Sequence, residues 1–263
     1  MTILAIETTG PLASAALSMD GVVTEKVNMT NYSHLEEIAP MAMELMQEQG
    51  IKGSGLDAIA VSRGPGSFTG VRIGVATAKG FAQVWRKPII EVPTLEAFAW
   101  NAELKPGDVI CPLFDARRSQ VYCGAWLKMR NHYTELLGEQ VCDVNDFLKR
   151  LRGPLDSAEA ARRLLPYSRV PESFRIVFCG DGAEAYGGAV DAWLMDRNDG
   201  KSLRTDWVQK ASNVVRFAET LLADGKTTDC YGAEPEYLRE AEASKNLRTH
   251  NLGIFRDGAI HKA

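Results

Sequence analysis

The sequence is short of the residues that carry metal and nucleophile chemistry. It holds four histidines, His34, His132, His250 and His261, and none is followed by another at helical ligand spacing. A structural zinc needs four protein ligands and a catalytic one three, so no metal site is expected. The five cysteines include no C-x-x-C, and most sit in or beside apolar runs. That pattern suits free thiols packed as small hydrophobes in a reducing, cytoplasmic compartment. No G-x-S-x-G elbow is present, so no serine is nominated as a nucleophile. No apolar run approaches the roughly 20 residues that span a bilayer. The N-terminus meets Glu7 before any basic residue and reads as a strand rather than a signal peptide. An excess of positive charge is missing too. Thirty Lys and Arg stand against 34 Asp and Glu, a net charge of −4, which argues against a broad surface that would hold nucleic acid unaided.

What remains is ordinary globular material. The chain has 263 residues, 45% hydrophobic and 24% charged, enough for one large core or two smaller ones. Thr2–Ile6, Leu12–Met19 and Val22–Met29 read as strands, with Asp20-Gly21 turning the second into the third. Ser33 with Glu36 forms a capping box for a helix over 34–49 that ends at Gly50 and should kink at Pro40. A strand at Leu56–Ser62, a glycine-rich turn, a helix over 71–86, a strand at Pro88–Val92 and a helix over Leu95–Leu104 complete the first half. Lys105-Pro106-Gly107-Asp108 reads as a linker, giving halves at 1–104 and 108–263. The second half repeats the order of the first. Val109–Phe114 ends at an acid, Asp115, as Thr2–Ile6 ends at Glu7, and Ile176–Cys179 runs into Gly180-Asp181-Gly182 as the earlier strand runs into Gly64-Pro65-Gly66. The expected architecture is α/β: a duplicated ribonuclease-H-like fold of the actin-like ATPase (ASKHA) class, two halves facing across a cleft.

The glycine turn, Gly64-Pro65-Gly66-Ser67-Phe68-Thr69-Gly70, is the most specific motif. A strand–turn–helix of this kind presents amides and the positive end of a helix to an anion, with Ser67, Thr69 and Arg72 as added donors. It is not a Walker loop, since Val71 follows Gly70, nor a dinucleotide fingerprint, since Thr69 stands where the third glycine belongs. An equal reading is a turn that uses glycine for close backbone approach. Glu7 and Asp115 would hold magnesium through water in a working ATPase of this class. As turn formers they would serve the fold alone, and Arg117 and Arg118 beside Asp115 favour that role. Lys149, Arg150, Arg152, Arg162 and Arg163 read as a solvated helix face before a tRNA-facing patch.

Both long helices of the first half carry more apolar surface than one buried face needs. Val71, Val75, Ala78, Ala82 and Trp85 make one stripe, while Ile73, Thr77, Phe81 and Val84 make another. Gly70, Gly74 and Ala78 would let a further helix come close. The preceding helix adds Leu35, Ile38, Ala42 and Leu45, with Met41, Met43 and Met46 around them. We therefore expect a helix–helix partner surface comprising His34, Ile38, Met41, Ala42, Leu45, Gly70, Ile73, Gly74, Thr77 and Phe81.

These residues resemble the TsaB (YeaZ) family of bacterial tRNA threonylcarbamoyladenosine biosynthesis proteins. The resemblance spans most of the chain. It is carried by Ile3–Thr8, by His34 with Pro40, and by Gly64–Gly74 followed by Ala78-Lys79-Gly80. Pro93–Ala97, Asp115–Arg118 with Val121-Tyr122, and Pro235-Glu236-Tyr237-Leu238-Arg239 agree in order. Glu7 departs from it, since the family usually has aspartate there. The resemblance implies an inactive paralogue of TsaD, the enzyme that transfers threonylcarbamoyl to the tRNA adenosine beside the anticodon. It implies a heterodimer with TsaD through the N-terminal helices and an ATPase, TsaE, joining the complex. It also implies tRNA contact only through that complex, and self-association of the lone chain. No tightly bound cofactor is implied; ATP or ADP would sit at the complex interface. The legacy name of the family is glycoprotease, peptidase M22, but no protease constellation is visible. The rival expectation is an actin-like-fold ATPase acting on its own through Glu7 and Asp115.

Overall fold

The computed structural model describes residues 1–28, 34–101, 103–130, 132–156 and 175–238, with the side chains of residues 34–36, 154 and 156 left out. The cap at Ser33 and the residues Arg162, Arg163 and Arg239 lie outside the described residues.

The first half opens with β1 (Thr2–Glu7), β2 (Ala13–Met19) and β3 (Val22–Asn28). Asp20 at φ 49° and Gly21 at φ 84° make the left-handed two-residue turn that matches strand twist. Then follow α1 (His34–Glu48), β4 (Ala58–Gly64), α2 (Phe68–Trp85), β5 (Ile89–Pro93) and a short α3 (Thr94–Ala97). The second half contains β6 (Asp108–Asp115), β7 (Gln120–Lys128), β8 (Tyr133–Asp143), α4 (Val144–Asp156) and β9 (Arg175–Cys179). It ends with α5 (Asp181–Ala185), α6 (Gly187–Arg197), β10 (Leu203–Arg204) and α7 (Ala211–Ala223).

Two sheets result, ordered β3-β2-β1-β4-β5 and β8-β7-β6-β9-β10. In each, the first three strands are antiparallel and the last two join parallel to the first. The same order and the same sense in both halves is the duplicated ribonuclease-H-like fold of the actin-like class. Parallel joins need crossovers, and α1, α2 and α4 fill that need. One expectation is corrected. The helix expected over Leu95–Leu104 is only α3 and one 3₁₀ turn, Phe98–Trp100, because Asn101 turns extended at ψ 130°. Helix α1 continues through Pro40 as one element.

Four buried clusters hold the molecule together. Helices α1 and α2 cover one face of the first sheet, packing Ile38, Ala42, Leu45, Val71, Val75 and Ala78 on Leu4, Ile6 and Ile59. The other face of that sheet is covered by α7, from the second half of the chain, through Val214, Phe217 and Ala218. Reciprocally, Leu95, Phe98 and Ala99 of the first half pack on Ile110, Phe114 and Trp126 of the second sheet. Hydrogen bonds fix both exchanges. Ala211 N donates to Ser14 Oγ at 2.8 Å and Ser212 N to Glu25 Oε1 at 2.7 Å, satisfying the start of α7. Leu95 N and Glu96 N both donate to Glu139 Oε1 at 3.0 Å, doing the same for α3.

Helix α2 sits unusually close to the end of β1. A Cβ on Gly70 would overlap the Thr8 carbonyl oxygen, and one on Gly74 would come within 2.5 Å of Thr8 Oγ1. Thr8 Oγ1 donates to the Gly70 carbonyl at 2.7 Å. Gly70→Ala should therefore destabilise the protein by about 3 kcal/mol, the upper range for overpacking. Gly80→Ala, on the same helix with nothing within 4 Å of the added atom, should stabilise by up to about 1 kcal/mol. Urea denaturation of both variants measures the contrast.

Burial, aided by Glu236 and Glu96, pushes the Glu139 carboxyl from 4.5 up to about 7, against the two amide donors. The folded state then binds this proton more tightly than the unfolded state. Its contribution to stability is full below pH 4.5 and is lost as pH rises through about 7. The loss amounts to about 3 kcal/mol at most. Glu139→Gln keeps an oxygen for both amides and should flatten that slope, raising the melting temperature at alkaline pH relative to wild type.

Candidate functional site

The halves enclose a cleft of about 670 Å³. One wall is Thr9, Gly10 and Pro11 of the β1–β2 turn with Gly66–Gly70 of the glycine loop. The other is Phe114–Arg117, Tyr122 and Asp181. The fold thus brings together the glycine loop, the β1–β2 turn and the end of β6.

Their geometry favours architecture over ligand capture. Ser67 N donates to the Thr9 carbonyl at 2.8 Å, and Ser67 Oγ accepts from Gly70 N at 3.3 Å as the cap of α2. Gly66 packs on Thr9, where a Cβ would approach within 2.7 Å. Gly64 takes φ 118°, donates to Thr94 Oγ1 at 3.1 Å, and leaves no room for a Cβ against the Glu236 carbonyl. Pro65 follows through a cis peptide bond. Phe68 and Thr69 are exposed at the rim. Arg72 is engaged by side chains at the rim rather than by the loop backbone: Nε donates to the Tyr237 hydroxyl at 2.8 Å, and its guanidinium lies 3.9 Å from the centre of the Phe68 ring.

The two acids have different settings. Glu7 is fully buried. Its Oε1 accepts from Thr9 N and Thr9 Oγ1, each at 2.5 Å, and Oε2 accepts from Ser62 Oγ. Burial pushes this carboxyl up, against the lowering effect of the Ser62 and Thr9 hydrogen bonds. Asp115 Oδ1 accepts from Arg117 N at 2.8 Å and from the Tyr186 hydroxyl at 2.9 Å, and its Oδ2 pairs with Arg117 at 3.2 Å. Asp181, on the same wall, accepts from Asp115 N at 3.3 Å and Gly182 N at 3.0 Å, and burial raises its carboxyl. A magnesium ion held through water needs carboxylate oxygens turned outward. Glu7, interior and bonded by Thr9 of its own turn and Ser62 of β4, does not fit that need, and no reaction step is assigned to the pair. Among the described residues no three His, Cys, Asp or Glu side chains are grouped to hold a metal.

The β6–β7 turn carries a feature invisible to sequence reading. Arg117, Arg118 and Ser119 take φ 66°, 56° and 61° in succession. Left-handed backbone is uncommon at non-glycine residues, and no Gly or Asn marked this run.

The expected partner helices divide sharply. Ile38, Ala42, Leu45, Gly70, Ile73 and Gly74 are buried in the chain's own interior, which corrects their placement on a partner surface. Gly70 and Gly74 admit Thr8, not a foreign helix. Met41, Thr77 and Phe81 remain partly exposed. Around them the outer face offers Pro40, Met43, Ala76, Gly80 and Val84, the last 76% exposed. The i, i+4, i+8 spacing of Ala76, Gly80 and Val84 was the signal available for this stripe. Met41 also lines a groove of about 470 Å³ between α1 and β3, with Lys26, Val27, Glu37 and Glu44. The helix residue His34 has its side chain outside the described residues.

A sequence model of the family TsaD, tRNA N6-adenosine threonylcarbamoyltransferase, matches residues 12–247. Over 248 residues the chain is 32% identical to the tRNA threonylcarbamoyladenosine biosynthesis protein TsaB of Escherichia coli K12, covering 94% of this chain and 98% of that one. The chain belongs to the TsaB family. TsaB of Bacillus subtilis is 37% identical over 153 residues, 58% of this chain and 66% of its own length. Among solved structures, a Pseudomonas aeruginosa protein described as similar to peptidase YEAZ superposes with a TM-score of 0.68 at 25% identity, over 90% of this chain and 99% of that one. TsaB motifs noted in the sequence now have positions: the glycine block is the β4–α2 cleft wall, and Pro235–Tyr237 lies beside it. Glu236 N donates to the Arg63 carbonyl at 2.7 Å and its side chain pairs with Arg63 at 2.8 Å. Among the described residues no helix is long and apolar enough to cross a membrane.

The setting of Glu7 makes its substitutions diagnostic. Glu7→Gln keeps one carbonyl oxygen for the two Thr9 donors and turns an amide N–H toward Ser62 Oγ, which then accepts; with no charge to bury, it should fold with wild-type stability or better at neutral pH. Glu7→Ala strands three donors in the interior and should cost about 3 kcal/mol. Equilibrium urea unfolding distinguishes the two.

Proposed function

We propose that this chain is a non-catalytic subunit that docks on a TsaD-type threonylcarbamoyltransferase and supports modification of the tRNA adenosine adjacent to the anticodon. The observation that carries the reading is the uncovered outer face of α1 and α2. Helices that already bury one face against β1 and β4 present Pro40, Met41, Met43, Ala76, Gly80, Phe81 and Val84 outward. Small side chains at Ala76 and Gly80 admit a second pair of helices at short range, and the methionines adapt to it. A fold copy of the same class offers a matching pair of helices, which makes TsaD the partner of choice and a second copy of this chain its substitute when TsaD is absent.

The saturated Glu7 supports the non-catalytic part of the reading and counts against an ATPase working alone. TsaE and tRNA would join through the complex rather than through this chain, whose net charge is −4. An ATP or ADP, if the complex uses one here, would meet this chain at the cleft, where Ser67, Thr69 and Arg117 stand at the walls.

Gly80→Trp and Val84→Glu change exposed positions, so both variants should keep the wild-type circular dichroism spectrum while losing capture by TsaD at least tenfold. Reconstituted threonylcarbamoylation should require the wild-type chain and fail with either variant. Capture that survives both substitutions overturns the surface. Tight ATP–magnesium binding by the isolated chain in calorimetry would favour the ATPase instead.

A further inference from the structure

Two thiols in the second sheet have no part in the docking surface or the cleft. Cys123 on β7 is buried, Cys142 on β8 is partly exposed, and their sulfurs lie 3.6 Å apart. In the antiparallel register Val121 faces Cys142 and Cys123 faces Gln140. The cysteines are therefore diagonal neighbours on the face covered by α4, where they pack with Val144, Phe147 and Leu148. Diagonal neighbours usually stand too far apart for short side chains to meet. Here the β7–β8 register shifts between Cys123 and Ala125, next to the pair, and the sulfurs touch.

We propose that Cys123 and Cys142 are an oxidation site that closes to a reversible disulfide on meeting a hydroperoxide, with Cys142 as the attacking thiolate and Cys123 as the resolving thiol. Access fixes the order, since only Cys142 is reached from solvent. The local charges agree. The Cys123 thiol and Arg150 hold Cys142 below the usual thiol value, against burial, Asp146 and Asp143. Cys123 is pushed up by its bond to Cys142 and by burial. Cys142 sulfur attacks the peroxide oxygen, the O–O bond breaks, and the leaving oxygen takes a proton; Cys142 becomes a sulfenic acid. Cys123 sulfur then attacks Cys142 sulfur, the S–O bond breaks, and the hydroxyl leaves as water with the Cys123 proton. Two thiols and one hydrogen peroxide yield one disulfide and two waters. Both sulfurs must draw in to about 2.05 Å, which the edge position of β8 permits. The bond would pin the strand whose Glu139 receives the α3 amides.

The test uses the full chain treated with hydrogen peroxide, alkylated, digested and read by mass spectrometry without reduction. A peptide linking Cys123 to Cys142, short of two hydrogens and released by dithiothreitol, is the expected product. In Cys123→Ala, Cys142 should stall as a sulfenic acid that captures dimedone. In Cys142→Ser, no linked peptide should form and Cys123 should alkylate only after unfolding. Wild-type Cys142 that captures dimedone or advances to sulfinic acid while Cys123 stays a thiol overturns the proposal. So does Cys142 remaining unoxidised while Cys230 reacts.

Discussion

Close approach of α2 to the end of β1 is the constraint on which the rest of the first half depends. Gly70 and Gly74 let the helix lie against Thr8, and Thr8 Oγ1 bonds the Gly70 carbonyl. With the helix that near, Ser67 N reaches the Thr9 carbonyl and Gly66 seats on Thr9. The same turn supplies the donors that enclose Glu7. The helix, the glycine loop and the buried acid form one packed unit. It also fixes which side of α2 is inward, leaving Ala76, Gly80 and Val84 outward.

A second constraint joins the halves. Each sheet has a face that its own half does not cover, and each is covered by a segment from the other: α7 on the first sheet, α3 with Phe98–Trp100 on the second. Apolar burial of this kind is non-directional, so the polar ends of the exchanged segments set the register: Ser14 and Glu25 for α7, Glu139 for α3. The cleft between the halves is a consequence of this exchange. Its walls belong to different halves, which are joined by the buried exchanged segments.

Much of the fold was legible in the sequence because it rests on local signals. Asp20-Gly21 specified the hairpin, the acid-ended strands at Glu7 and Asp115 exposed the repeat, and the glycine block marked a strand-to-helix turn. The site was legible only in part. Residue types nominated the loop and its acids, and the structure brings the loop and Asp115 to one cleft while burying Glu7. Whether their polar atoms point outward depends on partners far away in sequence, such as Ser62 for Glu7 and Tyr237 for Arg72. Helix α7 and its place on the first sheet depend on contacts across nearly the whole chain, and no local pattern encodes such a pairing.

The sequence by itself determined the two-fold order of elements, the family, and the lack of histidine spacing suited to a metal. These follow from residue identity and short-range spacing, which a linear string preserves. Tertiary structure alone decided which apolar residues of each helix face inward. In α2 both stripes contribute to the interior, Val71, Val75, Ala78 and Ala82 from one and Ile73 from the other, while Val84 is left exposed and Gly70 and Gly74 seat the helix on Thr8. It likewise decided that Glu7 is an interior hydrogen-bond acceptor and that Cys123 and Cys142 touch. Orientation and proximity are set by the sum of packing over the whole chain, and residue order carries neither.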